Sequence, residues 1–401
     1  MKSPKPHIKV ALAYFLIAAL LGVLLRSFPS IDIPFNYRYI VHTHSHIALL
    51  GWVYLALTTL IYKLFVQSSM TDWKYRRIFW ATQLSLIGML LTFPFTGYAL
   101  FSIVFSTLFL FVSYWFFWFF KTHAKREFRK TNAYACIVAA LWYLVISSLG
   151  PWALGGIMGT LGAESVWYRL AIYFYLHFLY NGWMIMALVG LFFYVLELRH
   201  IRMSLTNFRK FFWGINFGIV LSFFLSTLFA EPSVLLYLMG GAGAIFQLFA
   251  FILLARFLFP YRDRLRTMCS KWQWIFLGIV AVLLVIKMGL QLLTAFPYFS
   301  DLAATFLNFT VGYLHLTFLG VVTIALFFLL DYFGMMHISK IAFALYFMGF
   351  VVTEALIFYK GIAGWRGFPV FEAYYNALAV GSLLIPLSLI VVLFGPNNRD
   401  G

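Results

Sequence analysis

Runs of about 20 apolar residues recur along the whole chain of 401 residues, and this recurrence limits what the chain can fold into. Apolar residues make up 64% of the sequence and charged residues only 10%. A soluble domain has roughly half apolar and a quarter charged residues, so that class is excluded. The pattern predicts an all-α polytopic membrane protein that forms one integral membrane domain over residues 1–401.

Twelve membrane spans account for these runs. We place them near residues 8–28, 40–65, 76–97, 99–120, 132–150, 167–197, 208–230, 234–259, 272–296, 303–331, 337–360 and 371–395. The first run has no small-residue cleavage site followed by a soluble domain, so we interpret it as a span and not as a removable signal. The Gly-rich segment GPWALGGIMGTLGAE, residues 150–164, is predicted to be the longest loop on the outer side.

Positive residues are concentrated in every second loop. One set of loops carries dense clusters of Lys and Arg, whereas the other set holds only Arg26, Arg38, Arg169, Lys360 and Arg366. Cytoplasmic loops carry the excess of positive charge, so both termini are expected in the cytoplasm, with the chain in a bacterial inner membrane. The net charge of +17 therefore reflects topology, and we expect a lipid bilayer as partner and no nucleic acid.

The two cysteines give no sign of a metal or redox motif. Cys136 and Cys269 are predicted near helix starts on the cytoplasmic side, where we expect no disulfide. Neither belongs to a CxxC or CxxCH motif, so the sequence offers no covalent attachment for a haem.

Five of the nine histidines fall within predicted spans, where ionisable side chains are costly and usually functional. They are His42, His44 and His46 in span 2, His177 in span 6 and His315 in span 10. All three spans run inward, which places the histidines within roughly 5–20 Å of the outer face. Imidazoles at one depth in an apolar setting suit an axially ligated haem. For any one of them, a hydrogen bond to a backbone carbonyl is an equally good explanation.

Short motifs in these spans resemble subunit I of the haem–copper oxidase superfamily, with the nitric-oxide-reductase and cbb3-like branches the nearest. They are VHTH (41–44) after Arg38, HFLYNGW (177–183), YLH (313–315) and GIAGWRGF (361–368). The resemblance implies a low-spin haem on a span-2 histidine and His315, and a non-haem metal on His177. It also implies that basic residues between spans 11 and 12, here Arg366, lie near haem propionates.

The chain departs from that family at the binuclear site. Residues 208–230 lack the pair of histidines of span 7, Tyr313 replaces the ligand of the active-site haem, and Asn181 stands where the reductase branch has a glutamate. Copper or iron needs about three nitrogen ligands, so His177 alone gives weak grounds for either metal. We therefore expect one haem b, ligated by two histidines, and a degenerate site for reducing oxygen or nitric oxide.

Which histidine of span 2 is the ligand stays open. His42 and His46 share a helix face, whereas His44 is turned by about 200° from His42. A haem with two histidine ligands either transfers electrons, which implies a separate redox partner, or is held for sensing. Any residual enzyme activity would be that of an oxidoreductase of the cytochrome oxidase or nitric oxide reductase type.

Four other charged residues are candidates for the same site. Lys287 shares a face of span 9 with Gln291 and Thr294, and Glu354 lies in span 11. We expect Lys287 to pair with Glu354 or with a haem propionate, the alternative being a lysine that snorkels toward the interface. Arg38 and Arg366 flank the expected pocket, the alternative being that they anchor the interface.

Two other function classes fit twelve spans. The first is a secondary transporter, which should show Gly or Pro interruptions in the middle of paired spans. Here the interruptions, such as Pro94 and Pro297, lie at span ends. The second is a haem- and copper-containing membrane protein of the nitric-oxide response, whose later Gly-His motif the chain lacks.

Overall fold

The computed structural model describes residues 3–395, and these residues form an all-α protein. Within the described part of the chain, twelve helices are long and apolar enough to cross a membrane, and there is no β-strand. The predicted fold class and the number of spans are thereby confirmed.

In chain order the helices are α1 (Lys5–Ser27), α2 (Tyr37–Val66), α3 (Asp72–Thr96), α4 (Leu100–His123), α5 (Asn132–Thr160), α6 (Val166–Leu198), α7 (Leu205–Ala230), α8 (Val234–Met268), α9 (Lys271–Leu293), α10 (Leu307–Tyr332), α11 (Lys340–Arg366) and α12 (Tyr374–Phe394). A short additional helix, Pro297–Thr305, precedes α10.

Side-chain caps fix where many of these helices begin. An oxygen of the residue before the first turn accepts a hydrogen bond from a backbone N–H, which satisfies one of the donors that a helix start leaves unpaired. The caps with this bond are Asn36, Thr131, Ser165, Ser204, Ser270 and Ser339.

The segment predicted as the longest outer loop is largely helical, so that prediction is wrong. Leu149–Thr160 continues α5 as a helix, and only residues 161–165 connect it to α6. Glycine disfavours helices in water, but an apolar helix in lipid keeps its backbone hydrogen bonds because no water competes for them. A Cβ at Gly155, Gly156 or Gly159 would meet nothing within 4 Å, so packing does not require these glycines.

The described residues divide into two compact units. Unit 1 comprises residues 3–125 and 326–395, which hold α1 to α4, the end of α10, α11 and α12. Unit 2 comprises Arg126–Ala325, which hold α5 to α9 and most of α10.

In unit 1, α2 is the most enclosed helix. Every residue from 49 to 62 is buried, and the Trp52 ring stacks on Phe15 of α1 with 5.0 Å between the ring centroids. The helices approach closely at Gly51, where an added Cβ would lie 2.7 Å from the Cβ of Tyr14. The Tyr14 hydroxyl donates to Gln83 of α3 over 3.0 Å, which links three helices.

Unit 2 has a helix in the same role. Every residue of α6 from 177 to 191 is buried. An added Cβ at Gly182 would lie 2.6 Å from the Cβ of Tyr143 on α5. The Tyr143 hydroxyl donates to the side-chain oxygen of Asn216 on α7 over 2.9 Å. In each unit, therefore, an enclosed helix contacts the preceding helix through a glycine set against a tyrosine.

Three helices contain a π-helical segment in their interior. These segments are Ile47–Tyr54 in α2, Phe178–Met184 in α6 and Leu316–Thr323 in α10. A π-turn places one more residue in each hydrogen-bonded ring than an α-turn does, and such turns are frequent at functional sites. A second π segment, Tyr62–Val66, ends α2.

Candidate functional site

One histidine occupies the same position in each of these three helices. His46, His177 and His315 are each the last α-helical residue before the π segment. Each is followed five residues later by a glycine, as in HIALLGW (46–52), HFLYNGW (177–183) and HLTFLGV (315–321). The three helices thus repeat one local design, and it singles out His46 among the histidines of α2.

His46 and His315 also make the same hydrogen bond. The Nδ1 of His46 lies 2.8 Å from the carbonyl oxygen of His42, and the Nδ1 of His315 lies 2.8 Å from that of Val311. A carbonyl can only accept, so Nδ1 carries the proton and Nε2 carries the lone pair in both rings. Metal-ligating histidines usually donate their other N–H to a carbonyl or carboxylate in this way.

Aromatic rings surround the imidazole of His46 in unit 1. It stacks on Phe93 of α3 at a centroid distance of 4.6 Å, and its Nε2 lies 3.4 Å from the hydroxyl of Tyr98. His42, one turn earlier, meets the ring of Tyr98 edge-on at 4.7 Å. Both imidazoles are half-buried, so an apolar, planar group would find a matching surface here.

His44 points toward another helix. Its Nδ1 bonds to the carbonyl of Ala18 on α1 over 2.8 Å, and an added Cβ at Gly22 would lie 3.2 Å from its ring. The ring therefore fills the space between α1 and α2. A hydrogen bond to a backbone carbonyl is the structural alternative that the sequence offered for each histidine, and His44, His46 and His315 all make one.

Both ring nitrogens of His177 make hydrogen bonds within unit 2. Its Nε2 donates to the carbonyl of Ile219 on α7 over 2.8 Å. Its Nδ1 then accepts from the side-chain amide of Asn181 over 3.3 Å, and the Ser226 hydroxyl lies 3.4 Å away. To bind a metal through Nδ1, His177 would have to give up these contacts, as His46 would have to give up the contact of its Nε2 with the Tyr98 hydroxyl.

Lys287 is the centre of a buried polar network in unit 2. Its side chain is 1% exposed, and its ammonium donates to the side-chain oxygens of Asn181 and Gln291, each over 2.6 Å. The Tyr313 hydroxyl donates to the same oxygen of Gln291 over 3.2 Å. The ammonium also lies 5.9 Å and 5.7 Å from the ring centroids of Tyr180 and Tyr313, within the range of cation–π attraction.

These contacts argue against a Lys287 side chain that snorkels toward the membrane interface. A snorkelling lysine would carry its ammonium to water, whereas this ammonium is enclosed and held by two amide oxygens. Among the residues the structure describes, Lys287 forms no salt bridge. Glu354 is buried in unit 1, and neither of its carboxyl oxygens has a hydrogen-bond partner in the described part of the chain.

Arg38 and Arg366 are exposed ends of helices in unit 1. Arg38 lies in the first turn of α2, and Arg366 is the last residue of α11. The guanidinium of Arg366 lies over the ring of Trp365 at 4.2 Å. This stacking fits the interface-anchoring alternative, and a role of either arginine at a haem propionate stays a prediction.

Two features of these sites were not recognised in the sequence. One is Asn181, which occupies the place of Leu50 in α2 and of Leu319 in α10 and joins His177 to Lys287. The other is Arg26, assigned to a loop, which donates to Ser382 of α12. The recurring spacing from histidine to glycine would have revealed Asn181. It aligns the sequences of the three helices, and Asn181 is then the polar residue at a position that holds leucine in the other two.

The donor atoms fit a haem better than a non-haem metal. In His46 and His315 the Nδ1 donates to a carbonyl, so Nε2 is the nitrogen with the chemistry of a haem ligand. In residues 3–395 no group of three or more His, Cys, Asp or Glu side chains could hold a metal ion. Comparison with models of known protein families and with curated proteins finds no match. The geometry alone therefore carries the functional argument.

Proposed function

We propose that the chain is a haem-b-binding redox protein of the membrane, with His46 of unit 1 and His315 of unit 2 as the candidate haem ligands. The observation that carries the proposal is their shared design: each ends an α segment before a π segment and donates from Nδ1 to the carbonyl four residues earlier. This bond sets the tautomer, orients the ring and makes Nε2 more basic. The resemblance to subunit I of the haem–copper oxidases points the same way.

A haem iron with two imidazole ligands supplies one-electron transfer and keeps no open position for a substrate. The groups of the protein around a bound haem would then set its reduction potential. Phe93 and Tyr98 give the His46 ring an apolar surrounding. A low-dielectric surrounding of this kind would favour the less charged redox state of a bound haem. Electrons would come from and go to a separate redox partner.

Haem content and spectra test the proposal directly. The full chain is expressed with a haem precursor, purified in detergent and measured by absorption and by the pyridine haemochrome assay. We expect a low-spin b-type spectrum and about one haem per chain. His46→Ala and His315→Ala should each abolish the low-spin spectrum.

His42→Ala is the matched control. It removes an imidazole from the same face of α2 but leaves the backbone carbonyl that holds His46. Its spectrum should match that of the unaltered protein. A folded, colourless preparation of the unaltered chain, or loss of haem in His42→Ala alone, contradicts the proposed ligands.

A secondary transporter is the second candidate, and the buried ammonium of Lys287 favours it. A charged group within a membrane helix commonly marks a substrate or ion pathway. If the chain is a transporter, the purified protein should contain no haem. Proteoliposomes that contain it should take up solute, and Lys287→Met should abolish that uptake.

The orientation belongs to the same proposal. We propose that both termini face the cytoplasm of a bacterial inner membrane, as the positive loops indicate. The loop between α8 and α9 is one of the positively charged loops that we expect in the cytoplasm. It carries Cys269, which offers a site for chemical labelling.

A further inference from the structure

Glu354 is the one acidic residue of the described chain with both carboxyl oxygens buried and without a hydrogen-bond partner. It lies near the middle of α11 in unit 1 and is 7% exposed. An ionised carboxylate without hydrogen bonds in such a setting costs several kcal/mol, so a carboxyl group there is held as the neutral acid.

The charged and titratable groups around Glu354 come from three helices. Arg26 of α1 lies within electrostatic range of both Glu354 and Tyr374 of α12, and His44 of α2 lies within range of Arg26. The only cation in direct range of Glu354 among these groups is therefore Arg26.

Each of these groups is bound elsewhere. Arg26 donates to the hydroxyl of Ser382, which in turn donates to the carbonyl of Leu378 over 2.5 Å. The Tyr374 hydroxyl donates to the carbonyl of Leu356 over 3.1 Å. No donor therefore reaches the carboxyl group in this arrangement, although the charge of the Arg26 guanidinium acts on it.

We propose that Glu354 is a proton-binding site inside the membrane-spanning part of unit 1, with Arg26 as its counter-charge. In the arrangement seen here Glu354 carries the proton. On release, the O–H bond breaks, the proton passes to water, and the electron pair stays on the carboxylate, which pairs with the Arg26 guanidinium in place of Ser382. The proposal is independent of haem binding, since none of these residues is a proposed ligand.

Carbodiimide labelling tests it on the full chain in detergent. Dicyclohexylcarbodiimide is apolar and adds to protonated carboxylic acids, and mass spectrometry of peptides locates the adduct. We expect labelling at Glu354 at low and neutral pH, its loss as the pH rises, and none in Glu354→Gln. Glu372, an exposed residue of the same unit, serves as the internal control and should react only with a water-soluble carbodiimide.

Two variants should shift, in opposite directions, the pH at which labelling of Glu354 is lost. Arg26→Gln removes the counter-charge, so labelling should persist to a pH at least about one unit higher. Ser382→Ala removes the alternative partner of Arg26, so labelling should be lost at a lower pH than in the unaltered chain. Elution as a single peak in size-exclusion chromatography shows that each variant is folded. Absence of labelling at Glu354 at every pH, or an equal pH profile in both folded variants, overturns the proposal.

Discussion

The ammonium of Lys287 on α9 lies 2.6 Å from the side-chain oxygen of Asn181 on α6. Asn181 stands at a position that holds leucine in the two other helices with the same local design. A buried cation and the polar replacement that receives it therefore belong together, and each should depend on the other.

This dependence predicts strong coupling between the two residues. Asn181→Leu leaves the buried ammonium with one fewer acceptor, and we expect it to destabilise unit 2 by about 2–3 kcal/mol. Lys287→Met leaves the Asn181 oxygen without this donor, whereas the Gln291 oxygen keeps the bond from Tyr313, and the change should cost about 1–3 kcal/mol. The double variant should be clearly more stable than the sum of the single effects implies, because both polar partners are then gone.

Thermal unfolding followed by tryptophan fluorescence measures this coupling. Lys360→Met is the matched control, because Lys360 is only half-buried and its ammonium bonds to the Tyr375 hydroxyl over 2.8 Å. Its midpoint should hardly change. Simple additivity of the Asn181 and Lys287 effects would contradict the network.

The histidines of α2 should separate into two roles. His44→Ala removes the bond to the Ala18 carbonyl and the packing against Gly22, so we expect a loss of about 1–2 kcal/mol with haem content unchanged. His46→Ala removes a carbonyl bond of the same length and the stacking on Phe93, so it should cost a similar amount of stability, but it should also abolish haem binding. Equal loss of haem in both variants would show that the helix as a whole, and not one imidazole, determines binding.

The close approach of α1 and α2 predicts a marked difference between two glycines. Gly51→Ala places a Cβ 2.7 Å from the Cβ of Tyr14, so the helices must separate, at a cost of about 1–3 kcal/mol. Gly155→Ala meets nothing within 4 Å and removes a helix-destabilising glycine, so it should be neutral or stabilise by up to ~1 kcal/mol. Melting temperatures of the two variants check the contrast, and a similar decrease for both would contradict the observed packing.

The two thiols should differ in reactivity and in pH dependence. Cys136 is buried and should stay unlabelled by maleimide until the chain unfolds, whereas Cys269 is partly exposed. Burial raises the pKa of the Cys269 thiol, although Arg199 opposes the shift. Because the thiolate is the reactive form, labelling of Cys269 should be slow at neutral pH and rise about tenfold per pH unit below that pKa.

The same reaction reports the orientation. In inside-out vesicles a membrane-impermeant maleimide should label Cys269, and in right-side-out vesicles it should not. Labelling from the opposite side would reverse the proposed topology.

Hydropathy predicted the number of helices and most of their extents because lipid removes the competition of water for backbone groups. It failed at residues 150–164, where glycines that would end a helix in water remain helical. Hydropathy also predicted that the eighth span ends near residue 259. The helix continues to Met268, because the charged residues of Arg262–Met268 are helical beyond the apolar stretch. Composition thus marks where a chain enters lipid, but not where a helix stops.

The candidate site was less accessible from the sequence. Ionisable residues in apolar spans identified His46, His315, Lys287 and Glu354 because burial of such groups is costly. Their partners depend on contacts between residues far apart in the chain, such as the 106 positions that separate Asn181 from Lys287. The π segments carry no hydropathy signal, so they did not follow from residue types, whereas the spacing from histidine to glycine was visible in the sequence and marks His46 within its cluster.

Those π segments set how the two halves of α2, α6 and α10 face their neighbours. A π-turn holds one residue more than an α-turn, and one residue corresponds to a rotation of about 100° around the axis. The additional residue therefore turns the half that bears the histidine relative to the half that follows. Deleting a single residue just after His46 should therefore turn the two halves of α2 against each other, a far larger disturbance than any substitution in the same turn.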